Sequence, residues 1–227
     1  MVKLSVIIPT LNEAEHIRAT IDSVRTSGPC HEIIVVDGGS TDETRAIAAR
    51  HAQVIRADRG RARQMNAGAE AAAGDLLLFL HADTHLSKRA LDSARRAIRS
   101  ESVCAGTFRL RFQPARPALR FFAACTRIPW IKLCFGDRGL FTTREAFDAV
   151  GGFPDWPVFE DLEMCARLAD HGGFAHLSAA VTTSARRFQR NGALRQQLHN
   201  LRLWLHYVVG TSPASVAHLY RYDDGRG

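Results

Sequence analysis

Apolar residues fall along this chain in short runs separated by longer amphipathic stretches, and that rhythm predicts most of its first hundred residues. Leu4 to Ile8 is rich in β-branched residues and stopped by Pro9, the pattern of a strand buried on both faces. Asn12 with Glu15 three positions later predicts a helix start, and Ile17, Ile21 and Val24 come after it at helical spacing. Glu32 to Val36 reads as a second buried strand; Ser40 and Glu43 repeat the cap pattern before a helix carrying Ile47 and Ala48. Val54 to Arg56 gives a short third strand. The alanine-rich stretch from Arg63 to Ala73 predicts a helix that Gly74 ends as a C′ residue. Leu76 to Leu80 is a fourth strand, and Ser87 is expected to cap a helix ending near Ser100. Four strand-then-helix units in succession predict an α/β fold, a mostly parallel sheet with helices on both faces. Ligands of such sheets bind at the carboxyl ends of the strands.

From Val103 the rhythm changes. Thr107 to Phe112 alternates like a strand, Pro114, Pro117, Pro129 and Pro157 interrupt the stretch beyond it, and residues 192 to 209 read as a helix. The expected organisation is one domain over residues 1–190, with halves at 1–100 and 101–190 sharing a core, and then a basic amphipathic segment over 191–227. A chain of 227 residues is long enough to bury a sizeable core.

Hydrophobic residues make up 46% and charged residues 23%, which excludes a disordered or fibrous chain. The net charge of +7 fits nucleic acid, an anionic membrane surface or a phosphate-bearing small molecule. Cys30, Cys104, Cys125, Cys134 and Cys165 are odd in number and form no CxxC pair, against a disulfide framework or a zinc ribbon. The apolar run at the N-terminus is too short for a secretory leader, and no stretch reaches the roughly 18 apolar residues of a membrane span. A cytoplasmic protein is the expectation.

Carboxylates gather at the predicted sheet edge: Asp37 after IIVV, Asp83 after LLLFLHA, and Glu160–Asp161 before a helix. Each alone is an ordinary turn or cap residue. Together, facing one crevice, they need a cation or a positively charged ligand to offset their repulsion.

These residues lie in SVIIPTLNE (5–13), DGGSTDET (37–44), RGRARQMNAG (59–68), LLLFLHADT (76–84), GDRGLFTTREAF (136–147) and VFEDLEMCARL (158–168). The set, in that order over residues 3 to 170, resembles the family 2 glycosyltransferases with the GT-A fold, of the nucleotide-diphospho-sugar transferase type. Its wording is similar to a short bacterial subgroup, some members of which are linked by name to arsenosugar biosynthesis. The resemblance implies an inverting transfer from a nucleotide-sugar donor, a UDP-sugar favoured, to an unidentified small-molecule or lipid acceptor, assisted by Mn²⁺ or Mg²⁺. It implies that Asp37 receives the donor base and that Pro9, Thr10 and Glu13 line the nucleotide pocket. Arg61 and Arg63 would lie near the phosphates, whose oxygens suit guanidinium forks; a solvated helix face is the other reading of that pair. Asp83 matches the metal-binding aspartate of the DxD motif, with His81 and Ala82 at its first two positions. Histidine in place of the first aspartate departs from the pattern: it fits a ribose contact, a nitrogen ligand or plain packing at a strand end. Asp161 matches the general base that takes the acceptor proton, although a helix N-cap would use the same residue type. Glu160 and Asp137 are expected on the acceptor side, in residues 101–190, with Gly151–Gly152 flanking that cleft.

Between His171 and Tyr222 there is no Asp or Glu, while Arg186, Arg187, Arg190, Arg195, Arg202 and Arg221 all fall there. Leu194, Leu198, Leu201, Leu205 and Val208 share one helical face, with Trp204 and Tyr207 near it. Two readings fit: a helix packed on the core with its basic residues in water, or an interfacial helix on anionic lipid at the cytoplasmic face of the membrane. Arg186 or Arg187 could also reach the donor diphosphate. Rival functions fare less well. The first strand leads into PTLNE and not into the glycine-rich, arginine-containing loop of nucleotidyltransferases, nor into GxGxxG. The basic residues form no recognised nucleic-acid-binding motif, so no nucleic acid partner is expected. A non-catalytic sugar-nucleotide binder is the alternative that His81 motivates.

Overall fold

In the computed structural model of the chain, residues 2–100, 102–114, 119, 123, 124, 131 and 138–219 are described. Eight strands form a single sheet: β1 (Leu4–Thr10), β2 (Glu32–Asp37), β3 (Gln53–Arg56), β4 (Leu76–Phe79), β5 (Thr84–Leu86), β6 (Val103–Gln113), β7 (Leu140–Thr143) and β8 (Gly173–Ser184). Their order is β3-β2-β1-β4-β7-β6-β8-β5. The first four are mutually parallel; β7 is antiparallel to β4 and β6, β8 is parallel to β6, and β5 is antiparallel to β8. The sheet is thus parallel from β3 through β4 and mixed beyond β4.

Apolar residues of the central strands divide between the two faces as the pleat requires. Leu4, Val6 and Ile8 of β1 and Leu76 and Leu78 of β4 join one core with α1 (Ile17–Thr26), α2 (Thr44–Ala49) and α4 (Ala90–Ala97). Ile7, Leu77 and Phe79 join the other, with α3 (Arg61–Ala71), α5 (Arg144–Ala149) and α6 (Glu160–His171). Both faces are covered, which is why these strands are continuous apolar runs. The C-terminal segment comprises α7 (Arg186–Asn191), α8 (Ala193–Val208) and α9 (Pro213–Val216). Leu203 of α8 and Val216 of α9 pack with Val158, Phe159 and Leu162 in a third, smaller cluster.

Several local expectations are corrected. Asn12, Ser40 and Ser87 cap no helix: α1 begins at Ile17 and α2 at Thr44, neither with a side-chain cap. Asn12, with φ 53°, accepts the Thr41 N–H at 2.9 Å, and its own N–H goes to Ser40 Oγ at 2.9 Å. The Glu13 N–H donates to Thr44 Oγ1 at 2.8 Å. The polar side chains therefore brace the β1–α1 loop against the β2–α2 loop, since such groups serve turn backbone as readily as helix ends. Ser87 Oγ accepts the Ala180 N–H of β8 at 3.1 Å, and the three-residue β5 comes before α4. Helix α3 ends at Ala71 with Ala72 extended, so Gly74 is not its C′ residue. A Cβ at Gly74 would collide with Ser5 Oγ and stand 2.8 Å from Ser5 N, so glycine there permits close approach to β1.

Candidate active site

The register of the parallel strands brings the candidate residues to one edge. Thr10 pairs with Asp37 across β1 and β2, and Ile7 with Phe79 across β1 and β4, so the chain leaves all three strands side by side. Asp37 is 1% exposed; its Oδ2 accepts the Gly39 and Ser40 N–H groups, both at 3.1 Å, and Arg45 Nε lies 3.8 Å away. Pro9 stands opposite Val36, and the buried Thr10 hydroxyl donates to the Val36 carbonyl at 3.2 Å. Gln64 of α3, which sequence reasoning passed over, closes the floor. It is 3% exposed, and its Nε2 donates to both the Thr10 and Val36 carbonyls at 2.8 Å. Its signal was a polar residue inside the buried stripe of Met65 and Gly68.

Asp83 comes just after β4. The Arg186 guanidinium lies 3.5 Å from its Oδ2 and also donates to both oxygens of Glu13, at 2.9 Å from Nη1 to Oε2. Two carboxylates from separate loops thus converge on one cationic group carried by α7. The sequence offers Arg186 as a partner for a donor diphosphate; its pairing with Glu13 emerges only in the fold. Ala82 is buried and its carbonyl accepts the Thr20 hydroxyl at 2.6 Å, so what it presents to the site is backbone. His81 lines a narrow cleft together with Asp161, Phe79, Thr107, Phe153 and Cys165.

Asp161 sits in the first turn of α6, where its Oδ1 accepts the Leu162 N–H at 2.8 Å. The N-cap position of this helix is Phe159, left-handed at φ 69°, so Asp161 is not the N-cap itself, although its carboxylate still serves a first-turn N–H group. Glu160, expected on the acceptor side, is 1% exposed with Oε1 2.8 Å from Arg61 Nε; its buried Oε2 accepts no hydrogen bond among the described residues. Burial pushes the Glu160 carboxyl up, the Arg61 charge opposes the rise, and neighbouring Asp161 adds to it. Arg61 and Arg63 have different carboxylate partners. Two residues apart on a helix, they point to different sides, and Arg63 forms a two-pronged exposed pair with Asp155, Nε–Oδ1 3.0 Å and Nη2–Oδ2 2.8 Å. The arginines grouped by resemblance are therefore held by separate carboxylates.

The approach to α6 is fixed from α3. Asn66 donates to the Phe153 carbonyl at 2.8 Å and accepts the Phe153 N–H at 2.9 Å, a reciprocal pair of the kind one strand makes with another. Gly151 and Gly152, with φ 78° and 70°, form the turn that allows this clasp. Asp137, Arg221 and the cysteines Cys125 and Cys134 lie outside the described residues. Among the described residues, no group of three or more His, Cys, Asp or Glu gathers as a metal cage, and no helix is long and apolar enough to cross a membrane.

Known proteins resemble this chain in sequence or in fold. The glycosyltransferase of PGL/p-HBAD biosynthesis from Mycobacterium bovis is 44% identical over 92 residues, 36% of this chain and 36% of that protein, so the match spans little more than a third of the relative's length. S. aureus TarS 1–349 in complex with UDP superposes with a TM-score of 0.68 at 19% identity, covering 80% of this chain and 60% of that one. The mannosyltransferase PcManGT from Pyrobaculum calidifontis, in complex with GDP-Man and Mn²⁺, gives 0.67 at 21% identity, covering 96% and 68%. Both likenesses are of fold. Residues 5–148 match glycosyl transferase family 2, the greater part of the chain, and the chain belongs to that family.

Proposed function

We propose that the chain transfers a sugar from a nucleotide-diphosphate sugar to an acceptor hydroxyl, with inversion at the anomeric carbon. The observation that carries this reading is the convergence of Glu13 and Asp83 on one cationic group at the carboxyl edge of the sheet. A pair of carboxylates held there calls for positive charge: Arg186 supplies it in this structure, and a divalent cation arriving with a nucleotide diphosphate would add to it. The donor set fits such an ion. Cations that serve phosphates take one or two carboxylates and complete their shell with phosphate oxygens and water, so no protein cage is needed. Asp83 would hold Mn²⁺ or Mg²⁺, which supplies charge stabilisation to the departing diphosphate.

The chain's own residues do the rest. The turn at Asp37 and the strand end at Pro9 and Thr10, tied by Gln64, receive the base; UDP remains the favoured donor nucleotide, although PcManGT was solved with a guanosine donor. Asp161 takes the proton of the acceptor hydroxyl as its oxygen bonds to the anomeric carbon and the bond to the diphosphate oxygen breaks. The buried Glu160 and the half-buried Arg61 paired with it position the start of α6. His81 lies with Asp161 in the cleft and faces the reacting sugar or the acceptor.

Calorimetric titration with UDP, GDP and dTDP, each with and without Mn²⁺, tests the donor site. One nucleotide should bind in a metal-dependent manner that Asp83→Ala abolishes. Absence of binding to all three under both conditions would remove the reading. Asp161→Asn should keep nucleotide affinity and lose turnover; unchanged turnover would dismiss Asp161 as the base.

A further inference from the structure

Helix α8 has two apolar faces, and the fold uses one. Leu203 is 6% exposed in the third cluster, and the Tyr207 ring lies 5.4 Å from that of Phe159. On the other side Leu198, Leu201, Leu205, Val208 and Val209 are 59%, 47%, 48%, 38% and 79% exposed. From Leu198 to Val209 they run about 17 Å along the helix, at about 1.5 Å per residue. Arg195 and Arg202 stand three before and four after Leu198, on the same side of the helix. A groove along this face is lined by Leu198, Leu201, Arg202, Leu205, His206 and Val209. Single exposed leucines are ordinary, but a contiguous row of aliphatic groups in water is not.

We infer that this face is a docking surface for an anionic bilayer, with α8 lying in the interfacial plane. Charge selects the occupant. The sequence from His171 to Tyr222 contains no carboxylate, so the segment that bears the apolar row edges it with arginine and histidine and has no acidic residue of its own. A second copy placed face to face would bring two sets of arginines to one apolar seam, whereas anionic headgroups neutralise them while the leucines enter the acyl boundary. The inner face of α8 packs on Phe159, the residue immediately before Glu160 and Asp161. Docking therefore also fixes where the acceptor cleft stands relative to the lipid surface. The surface itself does not depend on the sugar-transfer reading.

The test is co-sedimentation of the full chain with phosphatidylcholine vesicles, with and without phosphatidylglycerol, at low and high salt. Binding should require phosphatidylglycerol and weaken with salt. At roughly 1 kcal/mol per arginine near the surface, Arg195→Gln with Arg202→Gln should lower the partition coefficient about 30-fold. Leu198→Ser with Leu205→Ser should lower it as well, with an unchanged Tm. No binding to anionic vesicles at low salt, or equal binding by wild type and both variants, would overturn the inference. So would a concentration-dependent dimer in sedimentation velocity that the leucine substitutions abolish, or a Tm loss in that variant without loss of vesicle binding. Nucleotide titration of the same variants keeps the two readings apart, because a missing nucleotide site with vesicle binding intact counts against sugar transfer alone.

Discussion

Gln64 offers the sharpest test of how the strand ends are held. Only the amide NH₂ can donate to the Thr10 and Val36 carbonyls, so the side-chain orientation is settled by its partners. Replacing Gln64 with Leu keeps the approximate volume and removes both bonds. Neither carbonyl is orphaned: Thr10 O still accepts the Gly38 N–H at 2.9 Å, and Val36 O still accepts the Thr10 hydroxyl. Two net contributions of about 0.5–1.5 kcal/mol each, partly covered by these remaining donors, give an expected loss of about 1–2 kcal/mol. For a chain of this size that lowers Tm by roughly 2–8 °C. Gln64→Glu is the decisive comparison. The buried carboxyl must stay protonated, and even then it offers one donor to two carbonyls and turns a lone pair on the other, so the loss should exceed that of Leu. Urea unfolding of the three proteins at one pH measures the order, and nucleotide titration shows whether the base pocket loosens with it. Equal stability of the Leu and Glu variants would refute donation to the carbonyls as the contribution of this side chain.

Gly68→Ala should destabilise by about 1 kcal/mol net, because overpacking costs about 1–3 kcal/mol against a helix-propensity gain of about 1. Its new Cβ would collide with Ile7 Cγ2 and stand 2.9 Å from Val36 Cγ2, both in fully buried side chains; a higher Tm would show that α3 shifts without cost. Asn66→Ala removes both bonds to Phe153 and should lose about 1–3 kcal/mol while reducing turnover through the α6 approach, leaving nucleotide affinity intact in calorimetry. Glu160 has a folded pKa raised by burial, so its contribution to stability is full below the unfolded carboxylate value and is lost as pH rises through the raised one. Unfolding free energy of wild type minus that of Glu160→Gln, measured upward from pH 4, should therefore decline; a difference that grows with pH would reverse the sign and the assignment.

The residues most legible in the sequence are those whose environment is uniform. Strands β1, β2 and β4 are buried on both faces, so their central letters are nearly all apolar, Ser5 excepted, and α8 carries a repeating stripe. Strand β8, GFAHLSAAVTTS, carries no such mark: its small and polar residues become a strand because β6 and β5 bond to it on either side. Asn12, Ser40 and Ser87 misled as caps because the same oxygens serve loops. Arg61 and Arg63 looked equivalent in a linear motif, and helical geometry separates them. The carboxylates at the sheet edge were legible by position, but the guanidinium between Glu13 and Asp83 comes from 173 residues away from Glu13, a distance over which local pattern carries no information.

The sheet order has a consequence for synthesis. The chain emerges in sequence order, yet β4 meets its antiparallel neighbour only when residues 140–143 appear, and among the described strands β5 pairs only with β8. The parallel half, β1 to β4, is thus exposed for much of translation with an open strand edge, and Glu13 and Asp83 wait for Arg186. Such late, long-range closure is slow and leaves apolar edges available to other chains. A nascent chain arrested before residue 173 should therefore be the species that engages chaperones, whereas one that has released residue 186 can complete both the sheet and its charge balance.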